Sequence, residues 1–103
     1  MTNRDSIFGL CMRAGKLVSG EDMVLDAVRS GKAKLVVVAK DASERTKKTF
    51  RDKCASFGVT IVGYGNMKDL GHALGKEKRA VLAVTEEGFA KKILAIASSP
   101  QQV

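Results

Sequence analysis

The stretch Lys34-Leu35-Val36-Val37-Val38-Ala39-Lys40-Asp41 (KLVVVAKD) decides how the rest of the chain is read. Leu35 to Ala39 is an unbroken apolar run with a β-branched centre, so it cannot alternate between a wet and a dry face. It predicts a strand covered on both faces, in the middle of an α/β sheet. Such a strand needs helices on either side.

The residues upstream supply two of them. Val24, Leu25, Ala27 and Val28 keep helical spacing and leave Asp22, Asp26 and Arg29 on the opposite face of a helix that ends at Gly31. Lys16 to Ser19 reads as a short strand entering that helix through Ser19-Gly20-Glu21-Asp22, with Ser19 and Asp22 as a loose capping box. Before it, Asn3 is expected to cap a first helix with Ile7, Leu10, Cys11 and Ala14 inward and Gly15 past its end.

Downstream, Asp41 predicts the cap of a third helix, with Glu44 reciprocal to it and Phe50, Cys54 and Phe57 as a narrow apolar stripe. Its cations Arg45, Lys47, Lys48, Arg51 and Lys53 read as a solvated face. Val59 to Tyr64 is a strand, and Asn66 opens a short helix with Met67, Leu70, Ala73 and Leu74 inward and Gly75 closing it. The charged loop Lys76-Glu77-Lys78-Arg79 leads into the strand Ala80 to Val84. Thr85 then caps a last helix that turns Phe89, Ile93 and Ile96 inward.

Helices and strands alternate without linker, repeat or low-complexity segment, which predicts a three-layer α/β/α sandwich around a small, mostly parallel sheet. Residues 1–97 form a single domain in this reading, and 98–103 a flexible C-terminal tail. A chain of 103 residues can bury one core but not a catalytic domain with a separate cofactor lobe.

Eighteen Lys and Arg against eleven Asp and Glu give a net charge of +7, which attracts polyanions and makes nucleic acid the leading partner class. There is no GxxxxGK[ST] and no GxGxxG after a strand; Gly63-Tyr64-Gly65 reads as a tight βα connection. Cys11 and Cys54 lie far apart without CxxC spacing, and the single His72 has no ligand cluster, so no metal, no cofactor and no enzymatic activity are expected. Neither a basic leader nor an apolar run near the ~18 residues of a membrane span is seen, so the expected location is the cytoplasm. Four Phe, one Tyr and no Trp leave little for a base-stacking platform, which favours a structured RNA held by shape and phosphates. Two basic loops, Lys76-Lys78-Arg79 and Lys32-Lys34, are expected to track its backbone.

The ordered set AGKLVSGED, AVRSG, KAKLVVVAKDAS and KDLGHALG resembles the ribosomal L7Ae/L30e family of kink-turn RNA-binding proteins over nearly the whole chain, most of all its small bacterial YlxQ-like members. The resemblance implies a four-stranded mixed sheet whose last strand runs antiparallel, and non-catalytic binding of kink-turn RNA, ribosomal RNA included. The protein is expected to be a monomer without RNA.

Many relatives read Gly-x-Asn-Glu at the turn, with a Lys one helical turn on. Here Gly20 matches, while Asp22, Met23 and Asp26 stand at the Asn, Glu and Lys places. An ionised Asp cannot donate to guanine O6 and N7 as Asn or Lys does. Two compensations are expected: backbone N–H groups of Glu21 and Asp22, with Lys16 and Arg29 near enough to add cations, or Asp22 or Glu21 accepting from a guanine amino group. Lys40 and Lys68 fall at family positions near RNA, and Lys76, Lys78 and Arg79 replace an apolar loop with phosphate-seeking groups. The alternative is a protein-interaction module on the same fold, whose acidic turn no longer reads RNA.

Overall fold

The computed structural model of the chain describes residues 3–98, with side chains from Ile7 onward. The expected Asn3 cap lies outside the described side chains; of the expected tail 98–103, Ser98 instead ends the last helix and the rest lies outside the described residues. Leu35–Val38 forms β2 with all four side chains buried, and Ala39 beyond it is buried as well. Strand β3 (Thr60–Gly63) lies beside it in parallel, strand β4 (Val81–Val84) beside it antiparallel, and strand β1 (Leu17–Ser19) pairs antiparallel with β4 at the far edge. The order is β1-β4-β2-β3.

Two of the three pairings are therefore antiparallel, which corrects the mostly parallel sheet expected from the alternation of elements. The reason is the short helix α4 (Met67–Ala73), after which the chain doubles back: the Arg79 N–H donates to the Met67 carbonyl at 3.0 Å. β4 thus starts at the sheet end where β3 stopped, and it runs antiparallel as the family resemblance implied.

Helices α2 (Glu21–Arg29) and α3 (Glu44–Phe57) pack on each other over one face, α2 on β1 and β4 and α3 on β3. On the other side α1 (Asn3–Arg13) packs with α4 and α5 (Glu87–Ser98), and α5 touches β3 and β4. These layers are the expected α/β/α sandwich.

Several expected faces and caps are corrected. Phe8 and Cys11 are the buried anchors of α1, with Phe8 stacked on Tyr64 at 5.7 Å between ring centroids. Leu10, about 200° around the helix from Phe8, points outward at 51% exposure, and Ala14 is exposed too. Phe50 and Cys54 are buried, but Phe57 is exposed. Fourteen helical residues span about 21 Å against about 13 Å for the four-residue strands, so the last turn of α3 overhangs the sheet. The cap of α3 is Ser43, whose Oγ accepts from the Thr46 N–H at 3.1 Å, not Asp41. Helix α5 is capped by Glu86, which accepts from the Phe89 N–H at 2.8 Å, in place of Thr85.

Candidate nucleic-acid interface

All four strands contribute to one end of the sheet: Ser19-Gly20 leaves β1, Ala80 enters β4, Ala39-Lys40 leaves β2 and Gly63-Tyr64 leaves β3. Loop-to-loop bonds hold that end together. The Gly20 N–H donates to the Val81 carbonyl at 3.1 Å, the Ala39 N–H to Ala80 at 2.8 Å and the Lys40 N–H to Gly65 at 2.9 Å. Asp41, freed from α3, accepts from the Met67 N–H at 2.8 Å and so fixes the start of α4 against the end of β2.

Gly20 opens α2 at φ 95°, ψ 150°, a conformation that essentially only glycine adopts, although a Cβ would meet no atom there. The residue is required by its backbone angles. Ser19 does not cap the helix: α2 starts with no side-chain hydrogen bond to its first amides, whereas Ser43, Asn66 and Glu86 serve that role for α3, α4 and α5. Open N–H groups at an exposed helix start, with the positive end of the helix dipole, are donors available to an anion.

The Ser19 hydroxyl instead accepts from the Arg79 Nε at 3.0 Å, while Arg79 Nη1 donates to the Lys78 carbonyl. This couples the basic loop to the glycine turn. The loop is held from behind by Gly71, where a Cβ would lie 2.4 Å from the Lys78 Cα and 2.6 Å from its N, and the Lys76 N–H donates to the Gly71 carbonyl. Only a residue without a side chain lets 77–78 rest on α4 this closely.

Of the expected RNA-contacting residues, Gly20, Glu21, Asp22, Met23, Lys40, Lys68, Lys78 and Arg79 meet at this end, with Asp26 one turn along α2 and Lys76 near the far end of α4. Asp22, Met23, Asp26, Lys40, Lys68 and Lys78 are exposed, Met23 at 56%. Glu21 is engaged already: its Oε2 accepts from the Thr46 hydroxyl at 3.2 Å and ties the starts of α2 and α3 together.

Lys16 and Arg29 do not join them. Lys16 precedes β1, and its carbonyl accepts from the Thr85 N–H past the end of β4, about 13 Å along the strand from Gly20. Arg29 ends α2, about 12 Å from its start. The second basic loop, Lys32-Lys34, lies at that opposite end too, since the Lys34 N–H donates to Val84. The two loops cannot track one short backbone segment as expected.

The thiols of Cys11 and Cys54 are buried, and that burial pushes each pKa up to about 11, so neither is a thiolate nucleophile near neutrality. The Glu86 carboxyl is lowered, chiefly by the Phe89 and Gly88 amides it caps and then by the charges of Lys16 and Lys92. Among the described residues no group of His, Cys, Asp and Glu could hold a metal ion, and no helix is long and apolar enough to cross a membrane.

Residues 6–94 match the model of the ribosomal protein L7Ae/L30e/S12e/Gadd45 family. The chain is 43% identical over 90 residues to the RNA-binding protein YlxQ of Bacillus subtilis (strain 168), covering 87% of this chain and 90% of that one. It is 37% identical to the large ribosomal subunit protein eL30 of Trypanosoma brucei brucei over 77% of each chain. A solved structure of a protein with unknown function from Bacillus halodurans C superposes at a TM-score of 0.90, with 37% identity, 96% of this chain covered and 100% of that one.

Proposed function

Because this chain belongs to the ribosomal protein L7Ae/L30e/S12e/Gadd45 family, we propose that it is a non-catalytic RNA-binding protein that grips structured RNA of the kink-turn type, ribosomal RNA included, with the loop end of its sheet. The observation that carries the reading is the bond from Arg79 to Ser19, which sets a guanidinium beside the uncapped start of α2. Backbone donors of Glu21 and Asp22 meet acceptor edges or phosphate, and Arg79, Lys78, Lys40 and Lys68 neutralise flanking phosphates. Related proteins named as RNA-binding and as ribosomal support the partner class. The protein acts in the cytoplasm as a monomer until RNA is bound.

Sequence readout is weak in this arrangement. Asp22 and Asp26 project exposed acids where a base donor is wanted, so recognition leans on the shape of the bend and on phosphate. The exposed Met23 between them favours a second reading, an interaction module for another protein. Gel-shift titration of a kink-turn RNA against a duplex of equal length, at two salt concentrations, separates the two. The RNA reading expects tighter binding of the kinked RNA and a strong loss of affinity with salt; equal affinity for both RNAs refutes it.

A further inference from the structure

A cleft of about 300 Å³ opens between α3 and the ends of β2 and β3, lined by Lys40, Lys47 and Arg51 over Ile61, Val62 and Gly63, and no acid lines it. Ile61 is half-buried, so its side chain is apolar floor that α3 does not cover fully, while Val62, next along the strand, turns to the other face and offers the cleft its backbone. At the mouth, a Cβ on Gly63 would make only ordinary contacts, 3.8 Å from the Val38 carbonyl oxygen and 3.9 Å from the Lys40 Cγ.

The charges are not all spent internally. Lys47 pairs loosely with Glu44 at 3.5 Å, and Asp52 is taken by Lys48 at 2.8 Å. Arg51 has no ion pair among the described residues. Cations beside an apolar floor suit a ligand that is both anionic and flat, and the volume is at the lower limit of ligand pockets, roughly 300 Å³. One nucleotide meets both conditions. Lys40 belongs to both places, because it also lies at the loop end of β2, two strand spacings or about 10 Å from the end of β1.

We propose that this cleft is a subsite for one unpaired nucleotide of the bound RNA, with its base on Ile61 and its phosphate between Lys40 and Arg51. The inference rests on the RNA-binding reading and extends it around the edge of the sheet. A solvated basic face, the reading of α3 from its sequence, does not account for cations gathered over a hydrophobic cleft.

The test uses the full chain and a kink-turn RNA with and without a short unpaired extension. The extension should tighten wild-type binding by about threefold to tenfold, the scale of one or two added contacts. Arg51→Gln should erase that gain and leave the unextended RNA unaffected, while Lys53→Gln, which removes the same charge outside the cleft, should keep it. A gain that is absent, or that survives Arg51→Gln, overturns the subsite while binding of the unextended RNA stands. If the unextended RNA fails to bind, the primary reading fails. An isolated single-stranded oligonucleotide then tests the cleft alone by backbone-amide NMR, with shifts expected at Lys40 and Ile61–Gly63. Unmoved amides there overturn it.

Discussion

The Nε of Arg79 donates to the hydroxyl of Ser19 at 3.0 Å, joining two residues sixty positions apart in the chain. Ser19 thereby becomes the anchor of a cation instead of the cap of a helix, and the first amides of α2 stay open. Arg79→Ala should weaken RNA binding and flatten the salt dependence by ~1 unit of slope, whereas Arg79→Lys keeps the charge but loses the anchor and falls between. Lys16→Ala, at the opposite end of β1, is the control and should leave the slope unchanged. Titration of a kink-turn RNA across a salt series checks both.

Gly71 tests whether the basic loop must be pressed onto α4. A Cβ placed 2.4 Å from the Lys78 Cα meets backbone, which cannot rotate away. Gly71→Ala should cost about 1–3 kcal/mol of stability, as overpacking does, and should also reduce RNA affinity by displacing Lys78 and Arg79. Urea unfolding and gel shift on the same sample read the two effects. Gly75→Ala, where a Cβ meets nothing but φ is 72°, should lower stability without the second effect.

Asp22 separates stability from binding. In the first turn of α2 an acid favours the helix by ~0.3–1 kcal/mol, so Asp22→Asn should lower stability slightly. Removing one negative charge beside the RNA is worth ~1 kcal/mol at close range in water, so affinity should rise by ~5-fold. A variant that loses affinity would make Asp22 a base acceptor.

The Glu86 cap predicts a pH dependence. Its carboxyl is held below its ordinary value of 4.5 by the Phe89 and Gly88 amides, so folding is favoured by the ionised form. That contribution is complete above 4.5 and is lost as pH falls through the lower folded value. Glu86→Gln should melt lower than wild type at neutral pH, and the difference should shrink as the solution is acidified below 4.5. Thermal melts by circular dichroism at stepped pH check it.

How far the sequence reached depended on the range of each interaction. The LVVVA run specified a strand buried on both sides because its periodicity is local, and Asn66 was recognisable as a cap because its partner Asp69 is three residues on. Asp41 is the opposite case. Its partner Met67 lies twenty-six residues away, while Ser43 stood two positions closer to the helix it caps.

The sequence by itself determined the elements, the buried runs, the basic charge and the glycine turn. Each follows from side-chain periodicity, composition or the conformational freedom of one residue. The tertiary structure alone decided which cations share a surface: strand order and direction put Arg79 beside Ser19 and carried Lys16, Lys32 and Lys34 to the opposite end. Pairing between distant strands sets those distances, and the antiparallel entry of β4 is fixed by a chain reversal after α4 that depends on Gly71 and Lys78 packing backbone to backbone.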